Sequence, residues 1–156
     1  MVILFIFVPA PRLALSASFT GTVVSVPDGD ILRVLSSGKI REVRLADIDC
    51  PEAAQAYGPE ARKYSAMAVL GKAVAVKVVG VDPEGRVLAQ VRGLISGRNL
   101  NGELLRVGLA WWQWKSSGNM ELGDVELVAR KHKVGLWQDP NPVPPWEFKK
   151  PAEENH

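Results

Sequence analysis

The chain has 156 residues, 47% of them apolar, and a formal net charge of +2. That is one domain's length of chain with enough apolar side chains for one core, and a charge balance that excludes nucleic-acid binding by bulk basicity. The only cysteine, Cys50, excludes an intramolecular disulfide and a cysteine-based zinc centre.

Residues 1–18 differ from the rest. Met1–Ala17 reads MVILFIFVPAPRLALSA, with a single charge at Arg12. The run Val2–Val8 is too short for a membrane-spanning helix, which takes about 20 apolar residues. Pro9 and Pro11 argue against a continuous strand. Ala14, Ser16 and Ala17 offer a cleavage zone of small residues, so the segment reads as a signal peptide without the usual basic start. That reading predicts an exported protein, periplasmic or secreted.

From Phe19 onward β-formers alternate with small residues to Val26, and Pro27-Asp28-Gly29-Asp30 reads as a turn. Ile31–Leu35 and Ile40–Leu45 follow as strands around Ser36-Ser37-Gly38-Lys39, making a meander. Tyr57-Gly58-Pro59-Glu60 opens a helix that runs to about Leu70 and stops at Gly71. Ala73–Val79 and Val87–Ile95 are two more strands around Asp82-Pro83-Glu84-Gly85. Asn99–Leu109 and Glu121–Lys133 read as helices. Residues 139–156 form a proline-rich tail that cannot hold a regular helix. The expected fold is α+β, mostly β: a five-stranded barrel of the oligonucleotide/oligosaccharide-binding (OB) kind over residues 19–138, with about three packed helices.

All five tryptophans, 111, 112, 114, 137 and 146, lie in the C-terminal third. Trp137 and Trp146 read as packing anchors. Trp111, Trp112 and Trp114 are so close together that at least one is expected to face solvent, where it can stack on a base.

Carboxylates carry the chemistry. Asp30 and Asp49 each follow a strand and can meet at one end of the sheet. Two carboxylates that close repel unless a cation lies between them. Oxygen ligands, with His132 and His156 both remote, point to Ca²⁺ or Mg²⁺ and away from zinc. An EF-hand is excluded, because Lys39 stands where its twelfth-position Glu belongs. Glu52, three residues past Asp49, can accept a proton from water. Arg44 and Arg86 offer planar forks suited to phosphate oxygens.

The segments PDGDIL (27–32), VRLADIDCPE (43–52), YGPEA (57–61), GRVLA (85–89), LNGELLRVGLAWW (100–112) and GLW (135–137) together resemble the thermonuclease, or staphylococcal nuclease-like, family. The resemblance implies that Asp30 and Asp49 bind a catalytic Ca²⁺ and that Cys50 adds its backbone carbonyl. It implies Glu52 as general base and Arg44 and Arg86 as the phosphate-gripping arginines. It implies cleavage of DNA and RNA to 3′-phosphate ends. A monomer without a stable protein partner is the default expectation. Pro83 and Glu84 stand where the family prototype has a lysine and a tyrosine that contact nucleotide, and Trp114 falls near a stacking tyrosine. The alternative is a barrel that binds nucleic acid or protein without catalysis; the intact set of five side chains argues against it.

Overall fold

The computed structural model describes residues 18–148. The expected leader, but for Ser18, and the end of the tail lie outside the described residues.

Five strands close into a barrel: β1 (Ser18–Asp28), β2 (Ile31–Ser36), β3 (Lys39–Leu45), β5 (Ala73–Val81) and β6 (Val87–Gly93), in the order β1-β2-β3-β6-β5. The period-two pattern explains it. In β2, Leu32, Val34 and Ser36 point inward and Arg33 and Leu35 outward. Val23, Val43, Leu45, Val74, Val76, Ala89 and Val91 fill the same interior. β1 is longer than the sequence predicts; it reaches Asp28 through two register shifts against β2, which absorb Pro27 in a bulged stretch.

Closure depends on the one parallel pairing, β3 with β6, which aligns Val43, Arg44 and Leu45 with Val87, Leu88 and Ala89. A parallel seam that ends abruptly leaves backbone groups without ladder partners. Asn101 supplies them. Its side chain, fully buried, donates to the carbonyls of Ala46 and Ala89 and accepts from the N–H of Val91.

Three helices pack outside the barrel: α1 (Gly58–Val69), α2 (Leu100–Arg106) and α3 (Met120–Lys131). The Asn99 side chain caps α2 by accepting from Gly102 N–H at 3.1 Å. α2 is shorter than the predicted 99–109, because Gly108 takes φ +67° and packs against the Val134 carbonyl, where a Cβ would come within 2.0 Å. A second, two-stranded sheet joins β4 (Ile48–Asp49) to β7 (Trp111–Trp112). Neither strand is foreseen in the sequence, and both matter for the site.

Candidate active site

The turn at Gly29 and Asp30 ends β1 against helix α1. A Cβ on Gly29 would sit 2.8 Å from the Ala61 Cβ and 3.0 Å from the Cys50 side chain, so only glycine allows this approach. Asp30 is thereby driven inward, to 5% exposure. Its carbonyl accepts from Leu45 N–H at 2.8 Å and its carboxylate accepts from Cys50 N–H at 3.2 Å. The β2–β3 register sets Ile31 opposite Arg44, which places the guanidinium beside the turn. Arg44 Nη2 lies 3.1 Å from the Asp49 carboxylate and 3.9 Å from that of Asp30. The β4–β7 pair fixes Asp49, with Trp111 opposite it. Between β3 and β4, Asp47 makes the reversal at φ +67°; it accepts from Gln90 through its side chain and from Gln113 N–H through its carbonyl.

Asp30, Arg44, Asp49 and Cys50 therefore meet at one end of the barrel, where the sequence reading expects Asp30 and Asp49. The electrostatics are lopsided. Burial, then the Asp49 charge, pushes the Asp30 carboxyl up to about 7, against the pull of Arg44 and the Cys50 N–H. Burial also raises Asp49, opposed by Arg44, by Gln113 and by a hydrogen bond with Asp30. Burial raises Asp28 too, with the Gly29 N–H opposing it and Glu52 adding a smaller push in the same direction. Arg44, with Arg62 acting on Asp28, does not balance four carboxyl groups gathered at one end of the barrel. Burial, followed by the carboxylates of Asp30, Asp28 and Asp49, pushes the Cys50 thiol well up, so its sulfur stays protonated and only its backbone is available as a ligand.

Among the described residues, no three His, Cys, Asp or Glu side chains form a cation cage by themselves. A cation held here takes its remaining oxygens from backbone, water or substrate. The donor set still fits a hard cation: carboxylates in surplus and no imidazole or thiolate. Its buried, mutually repelling pair is the kind of charge a divalent ion relieves.

Glu52 lies on the loop joining β4 to α1, half-buried and near enough to Asp49 and Asp28 to raise both. Gly58 presses on this loop; a Cβ there would meet the Glu52 carbonyl at 2.0 Å. Arg86 immediately precedes β6, two residues before Leu88, the partner of Arg44. Its guanidinium is engaged within its own turn, 2.6 Å from Asp82 and 3.1 Å from Glu84. Asp82 also accepts the backbone N–H groups of Glu84 and Arg86. Burial alone would raise the Asp82 carboxyl, but the Arg86 bonds outweigh it and hold it below its ordinary range.

Trp114 is 60% exposed and lines a cavity of about 260 Å³ with Gln113, Lys115, Ser116 and Trp146. The Lys115 ammonium lies 5.4 Å from its ring centre. Because Gln113 bonds Asp49, this cavity adjoins the carboxylates. Trp137 is buried as expected, but Trp146 is 44% exposed, set edge-on against Trp111 at 5.8 Å. It is a cavity wall as well as an anchor, because the prolines hold the tail on the surface.

Sequence reasoning misses Asp82, Gln55, Asn101 and Glu126. Glu126, buried, accepts Trp112 N–H at 2.8 Å and pairs with Arg130, whose guanidinium stacks 3.8 Å from the Trp137 ring centre. The available signal for both Asn101 and Glu126 is a polar residue on the apolar face of a helix.

The family profile described as staphylococcal nuclease homologue matches residues 42–139, a stretch that holds Arg44, Asp49, Cys50, Glu52 and Arg86. An uncharacterized endonuclease of Escherichia coli is 39% identical over 132 residues, 85% of this chain and 86% of the relative. A micrococcal nuclease of Shigella flexneri is 35% identical over 96% of this chain and 88% of its own length. A staphylococcal-like nuclease of Arabidopsis thaliana is 36% identical over 69% of this chain, which corresponds to 33% of that protein.

Proposed function

The chain belongs to the staphylococcal nuclease homologue family, and on that premise we propose that it is a calcium-dependent nuclease that hydrolyses DNA and RNA and leaves 3′-phosphate ends. The observation that carries this reading is the surplus of carboxylate at Asp30 and Asp49, with Arg44 between them.

Asp30, Asp49 and the Cys50 carbonyl are the residues that would hold calcium. When bound there, the ion supplies Lewis-acid polarisation of a phosphoryl oxygen. Glu52 is the general base and takes a proton from the attacking water. Arg44 and Arg86 balance the charge that builds on the equatorial oxygens as water adds in line with the leaving 5′-oxygen. Arg86 meets this demand from a fixed position, because Asp82 holds its Nε, and the exposed Glu84 carboxylate on its Nη2 gives way to phosphate. Trp114 offers a ring face for a base next to the cleaved bond.

The reading includes export, supported by the apolar, nearly uncharged Met1–Ala17 segment, and a monomeric enzyme. No helix among the described residues is long and apolar enough to cross a membrane. Product ends test the chemistry: in calcium, fragments should resist 3′ extension by a polymerase until a phosphatase is added. Fragments extended without phosphatase would overturn the 3′-phosphate assignment.

A further inference from the structure

We propose that Gln55, clamped by the C-terminal strap of residues 139–148, is a positioning residue for Glu52. The inference rests on Glu52 being the general base. The β4–α1 loop that carries Glu52 is irregular, with Gln55 N–H bonded to the Glu52 carbonyl and Gly58 N–H to the Gln55 carbonyl. Such a loop does not hold a carboxylate still unless something outside it is fixed.

Gln55 provides that connection. It is a surface-type amide buried to 8% exposure, and both ends of its side chain are used. Its Oε1 accepts the Glu52 backbone N–H at 3.1 Å. Its Nε2 donates to the carbonyl of Val143, on the strap. One amide thus ties the backbone of the base to a segment 88 residues away in sequence.

The strap is itself anchored. Asp139 N–H donates to the Leu136 carbonyl at 3.2 Å, and Trp146 sets its edge against Trp111, the β-partner of Asp49. Between strap and loop lies a cleft of about 190 Å³ lined by Pro51, Gln55, Tyr57, Trp111, Val143 and Phe148, among others. Through Trp111 and Gln55, the same segment braces both the Asp49 strand and the Glu52 loop.

A general base works only within about 2.6–3.2 Å of the proton it takes, and misplacement of a reacting group by about 1 Å costs on the order of 10²-fold. Gln55 has no hydrogen bond to Asp30, Arg44, Asp49 or Arg86, so its loss should spare calcium and phosphate binding. Gln55→Leu keeps the volume and removes both bonds. We expect kcat to fall by about 10- to 100-fold, with KM and the calcium concentration for half-activity within about twofold. The double variant Glu52→Gln/Gln55→Leu should be no slower than Glu52→Gln alone, because the two act on one group. Phe148→Ala, in the strap–loop cleft but away from the Trp114 cavity, should lower kcat in the unmodified chain and have no further effect on Gln55→Leu.

If Glu52→Gln cleaves at near-normal rate, the base assignment falls and this inference with it. If Glu52→Gln is inactive while Gln55→Leu turns over normally, or if Gln55→Leu raises KM at constant kcat, the positioning role alone is overturned. Further slowing by Gln55→Leu in the Glu52→Gln background would also overturn it.

Discussion

Replacing Asp30 by asparagine should stabilise the metal-free protein at neutral pH and abolish its response to calcium. The Asp30 carboxyl moves from an ordinary 3.8 to about 7 on folding. The folded state therefore binds a proton that the unfolded chain does not, and stability falls as pH rises from about 3.8 through about 7. At pH 7 the cost is on the order of 4 kcal/mol. Asparagine avoids it: its carbonyl oxygen can accept the Cys50 N–H and its amide can donate to Asp49. It forgoes the Arg44 attraction, 3.9 Å away, so a net gain of about 2–4 kcal/mol is expected, or roughly 5–15 °C in Tm. The assay is a thermal melt in chelator at pH 7 and at pH 4, repeated at pH 7 in calcium. At pH 4 the difference should nearly vanish, because Asp30 is protonated in the folded protein. At pH 7, calcium at about 100 times its dissociation constant should stabilise the unmodified chain by about 2.7 kcal/mol and leave Asp30→Asn unmoved. An Asp30→Asn melt at or below that of the unmodified chain in chelator at pH 7 would refute the reasoning, as would equal calcium responses.

Glu52→Gln should melt within a few degrees of the unmodified chain and lose about 10²–10⁴-fold in kcat, measured on single-stranded DNA. Arg86→Ala should both inactivate and destabilise, the latter by about 1–3 kcal/mol, because Asp82 loses its ion pair and keeps only the Glu84 and Arg86 backbone N–H groups; Arg86→Lys, with a charge near Asp82 but no fork, should keep most of the stability and still lose turnover. Asp82 contributes stability above pH 3.8 that is lost as pH falls through its lowered folded value, so Asp82→Asn should flatten the acid limb of a denaturation profile and slow cleavage by loosening Arg86. Asn101→Leu should cost about 2–4 kcal/mol in urea unfolding, since it leaves the Ala46 carbonyl and the Val91 N–H without their side-chain partner.

The barrel is legible because its strands alternate cleanly and its turns are written in Gly, Asp and Pro; Leu32, Val34, Val43 and Leu45 announce their inward face without help from the rest of the chain. The meeting of Asp30 with Asp49 is legible for a related reason: a meander with short turns leaves few places for its ends. Strands β4 and β7 are not, because two residues carry no period, and their pairing of Asp49 with Trp111 is set by tertiary packing. Asn101, Gln55 and Asp82 escape for a different reason. Each acts by bonding backbone far away or across a turn; the place of Asn101 on the apolar face of α2 is a local hint, but nothing local separates Gln55 or Asp82 from a solvated amide or carboxylate. Arg86, expected as a phosphate grip, is engaged in the structure by Asp82 and Glu84, which local sequence does not announce. Trp146, in a tail expected only to be irregular, turns out to wall the cavity that Trp114 opens.

Cleavage of end-labelled single-stranded DNA by the full chain, in calcium and then in chelator with Glu52→Gln alongside, tests the central claim most directly. Rapid fragmentation is expected in calcium, none in chelator, restoration when calcium is returned, and little product from Glu52→Gln in any condition. Cleavage that persists in chelator, or a folded, calcium-loaded chain that binds the strand and leaves it whole, would contradict it.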